Sequence, residues 1–467
     1  MKYLLGSDIG TTSLKMTLFT QALEPVKTVT RDYTLIASGD RVEFPAEQYW
    51  EIFQDAYEEV CGTLTPAALT IDTQCETMIL TDGDGRPLRD AIVWLDNRAE
   101  QQAEEIRQHF GEQRVYEVSG QPEITATWPA CKLLWVKENE PDIFRQIRRV
   151  FLLEDWLIWK LTGEFVTEKT LQSSTTYFDI RREVWWDEML AYIGIDCSAL
   201  PRLMNSGEIV GYRNGTAVVT GAIDQIAGAI GAGITQEGII SEMTGTIMAL
   251  YIPSGSVPAY DPENKIPCHK SYDGKFCLLP WTATAGMALK WFRNAFCEGF
   301  TFRELDELAE KAEPGSAGLT FLPYLCGSVM PRYNPDVRGA FYGFTLEHGR
   351  AHAVRAVLES VACMLRENLE YLNIRPREIR SMGGGASSPL WCQIKADITG
   401  CRIVTLKNSE TACLGSAILA GHAIGLFPDI PAAAASVVQT AAVYEPGEND
   451  YSDCYKRFCE LEDLFLC

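Results

Sequence analysis

Two stretches of the chain share one plan, and that repetition restricts the fold more than any other feature. Residues 3–19 read Tyr-Leu-Leu-Gly-Ser-Asp-Ile-Gly-Thr-Thr-Ser-Leu-Lys-Met-Thr-Leu-Phe. A short apolar strand enters a turn of one acid, one glycine and three small hydroxyl residues. An alternating strand leaves it, with Leu14, Met16 and Leu18 pointing one way and Lys15 and Thr17 the other. Near the midpoint, Gly-Ile-Ile-Ser-Glu-Met-Thr-Gly-Thr (238–246) leads into a second apolar run, 247–252. A strand pair around a Gly/Thr turn in each half predicts a duplicated architecture.

The first turn has a physical use. Gly10 lets the backbone bend and approach a bulky anion. Thr11, Thr12 and Ser13 offer hydroxyls and N–H groups to phosphate oxygens, and Lys15 adds a positive charge. Asp8 is unwelcome beside phosphate unless Mg²⁺ stands between them, held directly or through water. The competing reading of the same residues is a hairpin with a polar tip.

The 467 residues suffice for two or three domains. A formal net charge of −22 argues against nucleic acid and anionic membranes as partners. An anionic ligand such as ATP must then be held by local donors and metal. The opening residues show no signal-peptide pattern, and no apolar stretch reaches the length of a membrane span. The 15 cysteines form no Cys-x-x-Cys pair, which favours reduced thiols in a cytoplasm over a disulfide framework or a zinc site.

Strands and helices alternate along both halves, which implies α/β domains. Strands are expected at 28–35, 67–72, 78–80, 91–95, 217–219, 239–243, 247–252 and 379–382. Helices are expected at 46–61, 130–139, 150–161, 226–233, 283–296, 354–372 and 390–399. Helix 354–372 has the clearest stripe, with Arg355, Glu359, Arg366, Glu367 and Glu370 off it. The domain boundary is placed near 238, giving units 1–237 and 238–467 that meet across a cleft.

Several polar residues close strands, where α/β sites are built. Asp224 follows strand 217–219 and precedes a glycine-rich helix. A carboxylate there can take the proton of a hydroxyl attacking phosphorus, with Gln225 bonding the same polyol. It can equally serve as a helix N-cap. Glu76, Asp96 and Arg98 end consecutive strands and suit a polyol, or form a surface ion-pair cluster. Trp128 can stack on a sugar face or simply pack. Gly383-Gly-Gly385 lets backbone lie flat against a ring or phosphate, or only supplies positive φ. No dinucleotide fingerprint or P-loop appears, and the five histidines lack metal-ligand spacing.

Together these stretches resemble the FGGY family of carbohydrate kinases, over nearly the whole chain. Asp8-Ile-Gly-Thr-Thr-Ser-Leu-Lys15 is similar to that family's first phosphate motif and Met243-Thr-Gly-Thr246 to its second. Gly383-Gly-Gly-Ala-Ser-Ser-Pro-Leu-Trp-Cys-Gln393, followed by Ala396-Asp397, resembles its adenosine motif. Thr127-Trp-Pro-Ala-Cys-Lys-Leu-Leu-Trp-Val-Lys-Glu-Asn139 matches the first family signature apart from Thr127. Gly339 to Glu359 matches the second apart from Ala353.

The resemblance implies two actin-like ATPase (ribonuclease H-like) domains with an interdomain cleft, using ATP and Mg²⁺ on a small sugar or polyol. It implies Asp8 for the metal, and Thr11, Thr12, Lys15 and Thr246 for the terminal phosphates. Gly286 and Lys290 fall where relatives contact nucleotide, and Gly384, Gly385 and Ser388 border the adenosine. Asp224 becomes the general base, with Gln225 beside it on the substrate. Cys75-Glu76 stands where glycerol kinases carry Arg-Glu and xylulokinases Met-His, so it fits neither, although a ketopentose such as xylulose is favoured over glycerol. Asp96 and Arg98 resemble an Asp-x-Arg element common in the family. Family members are often dimers, so a homodimer is a further expectation. The rivals are an actin-like ATPase acting on a protein partner and a non-catalytic sugar sensor.

Overall fold

The computed structural model describes residues 2–263, 265–408 and 410–466. The opening stretch is a hairpin. Strands Tyr3–Ile9 and Ser13–Thr20 pair antiparallel with Asp8 opposite Lys15, and Pro25–Asp32 adds a third strand. On the other side Tyr3–Ile9 takes Ala68–Thr73 in parallel, which sets Asp8 directly opposite Asp72. Thr216–Val219 follows in parallel, and Ile209–Arg213 closes the edge antiparallel. Every residue of Ala68–Thr73 is buried, as a central strand covered on both faces requires.

The second half builds the same sheet again. Ile239–Thr244 and Met248–Ser254 form the hairpin, with Phe276–Leu278 beyond it. Glu378–Met382 and Ile403–Leu406 join in parallel, and Thr440–Tyr444 closes antiparallel. Order and direction of the six strands of the first sheet repeat, and the second sheet adds Cys268–Lys270 and Trp281–Thr282. The threading differs at one place. The edge strand precedes its neighbour in the first sheet and follows it in the second.

The halves meet on two sides of a cleft. Helix Thr411–Ala423, from the second half, lies against the first hairpin and crosses helix Asp224–Gly231. A Cβ at Gly415 would stand 1.8 Å from Ala227 O, and one at Gly231 1.9 Å from Thr411 O, so both positions require glycine. On the other side, Cys268 N donates to Gly120 O at 2.9 Å and Lys270 N to Ser173 Oγ at 3.0 Å.

Several sequence expectations need correction, among them the strand expected at 28–35, which runs Pro25–Asp32. Residues 150–161 are not one helix: strand Arg149–Leu152 pairs with Met78–Thr81 before helix Leu153–Thr162 begins. The apolar run Val-Phe-Leu is buried as a strand, and periodicity over so short a run does not separate the two states. The strand expected at 91–95 shrinks to Ala91–Ile92. Helix 226–233 starts earlier and runs Asp224–Gly231, while helix 283–296 starts later, at Gly286. Helix Arg350–Tyr371 also buries three of its charged residues. Arg355 bonds Glu359 at 2.9 Å, and Glu359 accepts from Gly315 N and Ser316 Oγ at 2.9 and 2.8 Å. Charges at these positions are satisfied by the interior, which a stripe count does not see.

Candidate active site

The first hairpin, the loop after Ala68–Thr73 and helix Asp224–Gly231 place acids together. Asp8 and Asp72 are register partners whose carboxyls come within hydrogen-bond reach of each other. Burial raises both above the usual carboxylate range, Asp72 the further because Asp8 faces it. Ser416 Oγ, from helix Thr411–Ala423, donates to Asp72 Oδ2 at 2.5 Å. Asp72 Oδ1 is buried with no donor among the described residues. A site with this surplus of carboxylate oxygen fits a divalent cation.

Asp224 is the first residue of its helix. The N-cap position belongs to Ile223, and Asp224 Oδ1 accepts from Gln225 N at 2.7 Å. The capping alternative is thereby set aside; the helix N-terminus instead favours the charged carboxylate. Burial in the cleft, then Asp8, pushes the Asp224 carboxyl up to about 7. The loop before it is tied down. Gly221 N donates to buried Glu154 at 2.8 Å, and Ile223 N to Thr170 Oγ1 at 3.0 Å.

Cys75 and Glu76 occupy the polar loop facing Asp224. Burial pushes the Glu76 carboxyl up to about 8, with Lys132 drawing it back and Asp224 adding to the rise. Lys132 is wholly buried and donates to Val93 O at 2.9 Å and Trp94 O at 3.3 Å. Burial lowers it to about 8. Trp94 Nε1 donates to Thr11 Oγ1 at 3.0 Å, joining the segment after strand Ala91–Ile92 to the first hairpin.

Other expected substrate residues serve the wall. Asp96 accepts from Val42 N at 2.6 Å and from Arg98 Nε at 2.8 Å and Nη2 at 2.7 Å. Arg98 also bonds Glu43 and lies over the Trp135 ring, leaving Nη1 without a partner among the described residues. The Trp128 indole donates to Glu123 O at 2.7 Å. Gln225 is exposed. Lys15 pairs with Glu410 at 2.5 Å, and exposed Thr12 sits at the turn beside Thr11.

Across the cleft the second hairpin opens onto a cavity of about 1010 Å³. Thr246, Gly286, Lys290, Gly384, Gly385 and Ser388 all line it, so the nucleotide residues expected from sequence converge on one space. Thr246 O accepts from Met287 N at 3.0 Å, and a Cβ at Gly286 would lie 2.2 Å from Gly245 O. Glycine is required there to bring the helix start against the turn. Ser388 caps helix Pro389–Thr399, its Oγ accepting from Trp391 N at 3.0 Å. Beneath the turn Lys395 pairs with buried Glu242 at 2.8 Å and bonds Thr244 Oγ1 at 3.0 Å.

Two site residues escaped the sequence reading. Asp72 stands near the end of strand Ala68–Thr73, and only the parallel register sets it against Asp8. Lys132 lies inside an apolar helix, and only its burial shows that it belongs to the site.

Acids on one wall and Gly/Thr turns on the other, carried by duplicated sheets, define a two-domain nucleotide-dependent phosphotransferase. The chain belongs to the FGGY family of carbohydrate kinases: the model of that family's N-terminal domain matches residues 3–240 and that of its C-terminal domain residues 271–424. It is a sugar kinase that uses ATP. A xylulose kinase of Bacillus subtilis (strain 168) is 30% identical over 96% of this chain and 93% of the relative. A gluconokinase of Bacillus licheniformis is 28% identical over 91% of this chain and 88% of its own length. The ligand-bound xylulose kinase from Lactobacillus acidophilus superposes with a TM-score of 0.93 at 25% identity, covering 99% of this chain and 98% of that one.

Proposed function

We propose that the enzyme transfers the γ-phosphoryl group of ATP to a terminal hydroxyl of a neutral ketopentose such as xylulose. The observation that carries this reading is Asp224 at a helix N-terminus, between the Glu76 loop and the first phosphate turn. Asp224 takes the hydroxyl proton as that oxygen attacks the γ-phosphorus. The γ-phosphorus–oxygen bond breaks, and its electron pair leaves with ADP. Thr11, Thr12 and Lys15 bind the terminal phosphates from one side and Thr246, Gly286 and Lys290 from the other. Asp8 would hold Mg²⁺, which when bound would supply charge neutralisation on the phosphates. The division of labour follows the proposed boundary near residue 238, and the free thiols of the 14 described cysteines suit a cytoplasmic enzyme.

The pocket chemistry favours a neutral sugar over an aldonate. Glu76, Asp224, Asp8 and Asp72 are electrostatically linked to one another around Asp224, and Lys132 has its ammonium turned to backbone carbonyls. A substrate carboxylate would add negative charge to that cluster. The test is ADP release with Mg-ATP across C3 to C7 polyols, ketoses and gluconate, each against a no-sugar blank. Xylulose should raise turnover far above the blank and gluconate should not. A high blank that no sugar raises would point to a protein-directed ATPase.

A further inference from the structure

Helix Thr411–Ala423 belongs to the second half of the chain, yet it touches the elements that carry the first wall. A Cβ at Gly6 would stand 1.9 Å from Cys413 O, so the helix backbone lies directly on strand Tyr3–Ile9. Gly6 and Asp8 are two residues apart on that strand and share its face. Cys413 Sγ lies 3.6 Å from Lys15 O on the next strand. The close approaches at Gly231 and Gly415 lock the same helix to Asp224–Gly231, whose first residue is Asp224. One helix therefore sets Asp8, Lys15 and Asp224 relative to one another.

From this helix Ser416 reaches the acids. Ser416 and Asp72 are both wholly buried, and Ser416 Oγ donates to Asp72 Oδ2 at 2.5 Å. Asp8 is half-buried, while Asp72 has no exposed surface and stands behind it, the two carboxyls within hydrogen-bond reach. Asp72 can therefore act on a cation in the cleft only through Asp8. The terminal torsion of an aspartate is broad, so an unheld carboxyl turns readily. Asp72 Oδ1 has no donor among the described residues, which leaves the Ser416 bond to fix that turn. A fixed Asp72 in turn limits how Asp8 can face it and keeps an Asp8 oxygen for the cleft.

We propose that Ser416 is a positioning residue of the metal site: it pins Asp72, and Asp72 holds Asp8 in the orientation in which it would take a divalent cation. A side chain of the second half thus completes the acid wall of the first. This inference deepens the kinase reading and rests on it.

The test uses Mn²⁺ in place of Mg²⁺. Its binding to the full chain with ADP is read by electron paramagnetic resonance, without sugar and without turnover. Ser416→Ala should weaken Mn²⁺ binding about 10- to 100-fold, the loss typical of a group that orients a metal ligand, while the KM for sugar stays unchanged. Leu419→Val, on the same helix with its side chain facing Gly207, loosens the packing without touching the acids and should bind Mn²⁺ as the wild type does. Unchanged Mn²⁺ binding in Ser416→Ala, or an equal loss in Leu419→Val, would overturn the proposal. A wild type that phosphorylates no sugar, with Mn²⁺ binding still weakened by Ser416→Ala, would contradict the kinase reading and keep the assignment of Ser416. Sugar phosphorylation with equal Mn²⁺ binding in wild type and Ser416→Ala would keep the kinase reading and overturn the assignment.

Discussion

The two hairpins share a fold and differ in how they treat buried charge. In the second, Glu242 is neutralised within the protein: Lys395 pairs with it at 2.8 Å and Ser381 Oγ donates to it at 2.7 Å. Its register partner on the neighbouring strand is that same serine. In the first, the register partner of Asp8 is another acid, Asp72, and Ser416, from across the domain junction, donates to Asp72. The second hairpin is electrostatically closed and presents only its Gly/Thr turn to the cavity. The first sets two acids against the one cation Lys15 and keeps a surplus of carboxylate that a bound cation or a proton can balance. On the proposed function, one architecture yields a phosphate ledge on one side and a metal- and proton-handling wall on the other.

The largest effect should come from opening the closed side. Lys395→Met leaves Glu242 buried without its cation and should cost about 3–5 kcal/mol of stability, read from urea unfolding. Asp72→Asn should act in the opposite sense, unfolding at higher urea than wild type at pH 8. Its kcat should still fall about tenfold or more, as expected for a group that orients a metal ligand. Equal destabilisation by both substitutions would erase the distinction between the hairpins.

A pH series sharpens the same contrast. Burial lifts Asp155 and Glu76 to about 8 and Glu168 and Asp224 to about 7 in the first half; in the second it lifts Glu367 to about 7 and Glu462 to about 9, on helices Arg350–Tyr371 and Ser452–Phe465 and not on its hairpin. Their unfolded values lie near 4. A carboxyl whose folded value is raised binds its proton more tightly in the native state. Its stabilising contribution is fully present below about pH 4 and is lost as pH rises through 7 to 8. Hydrogen exchange, corrected for intrinsic rates, should show Tyr3–Ile9 and Ala68–Thr73 losing protection between pH 5 and 8 while Ile239–Thr244 holds. The smallest effect is expected at Glu410→Gln. Its pair with Lys15 is about one-third exposed and should contribute under about 1 kcal/mol, while the KM for ATP should fall about two- to threefold as Lys15 turns to phosphate.

Features that depend on neighbours in sequence were legible. The Asp-x-Gly-Thr and Thr-Gly-Thr turns, the triple glycine and Asp224 after its strand all announced the two sheets and the nucleotide cavity. What depended on register between distant strands was not. Asp72 looks like any strand-ending acid until the parallel pairing sets it against Asp8. Arg355 and Glu359 read as a solvated face because their partners at residues 315–316 and 451 come from elsewhere in the chain. Asp96 and Arg98 were visible as a pair, but only the fold shows that most of their bonding capacity goes into the wall.

Rapid-quench single turnovers of wild-type and Asp224→Asn enzyme with xylulose and ATP labelled at the γ-phosphate address the proton-handling wall directly, with ADP binding measured alongside. Asp224→Asn should bind ADP as the wild type does and transfer phosphate at least about 100-fold more slowly, the loss expected of a general base. A variant that transfers phosphate at the wild-type rate would show that the first wall does not take the proton.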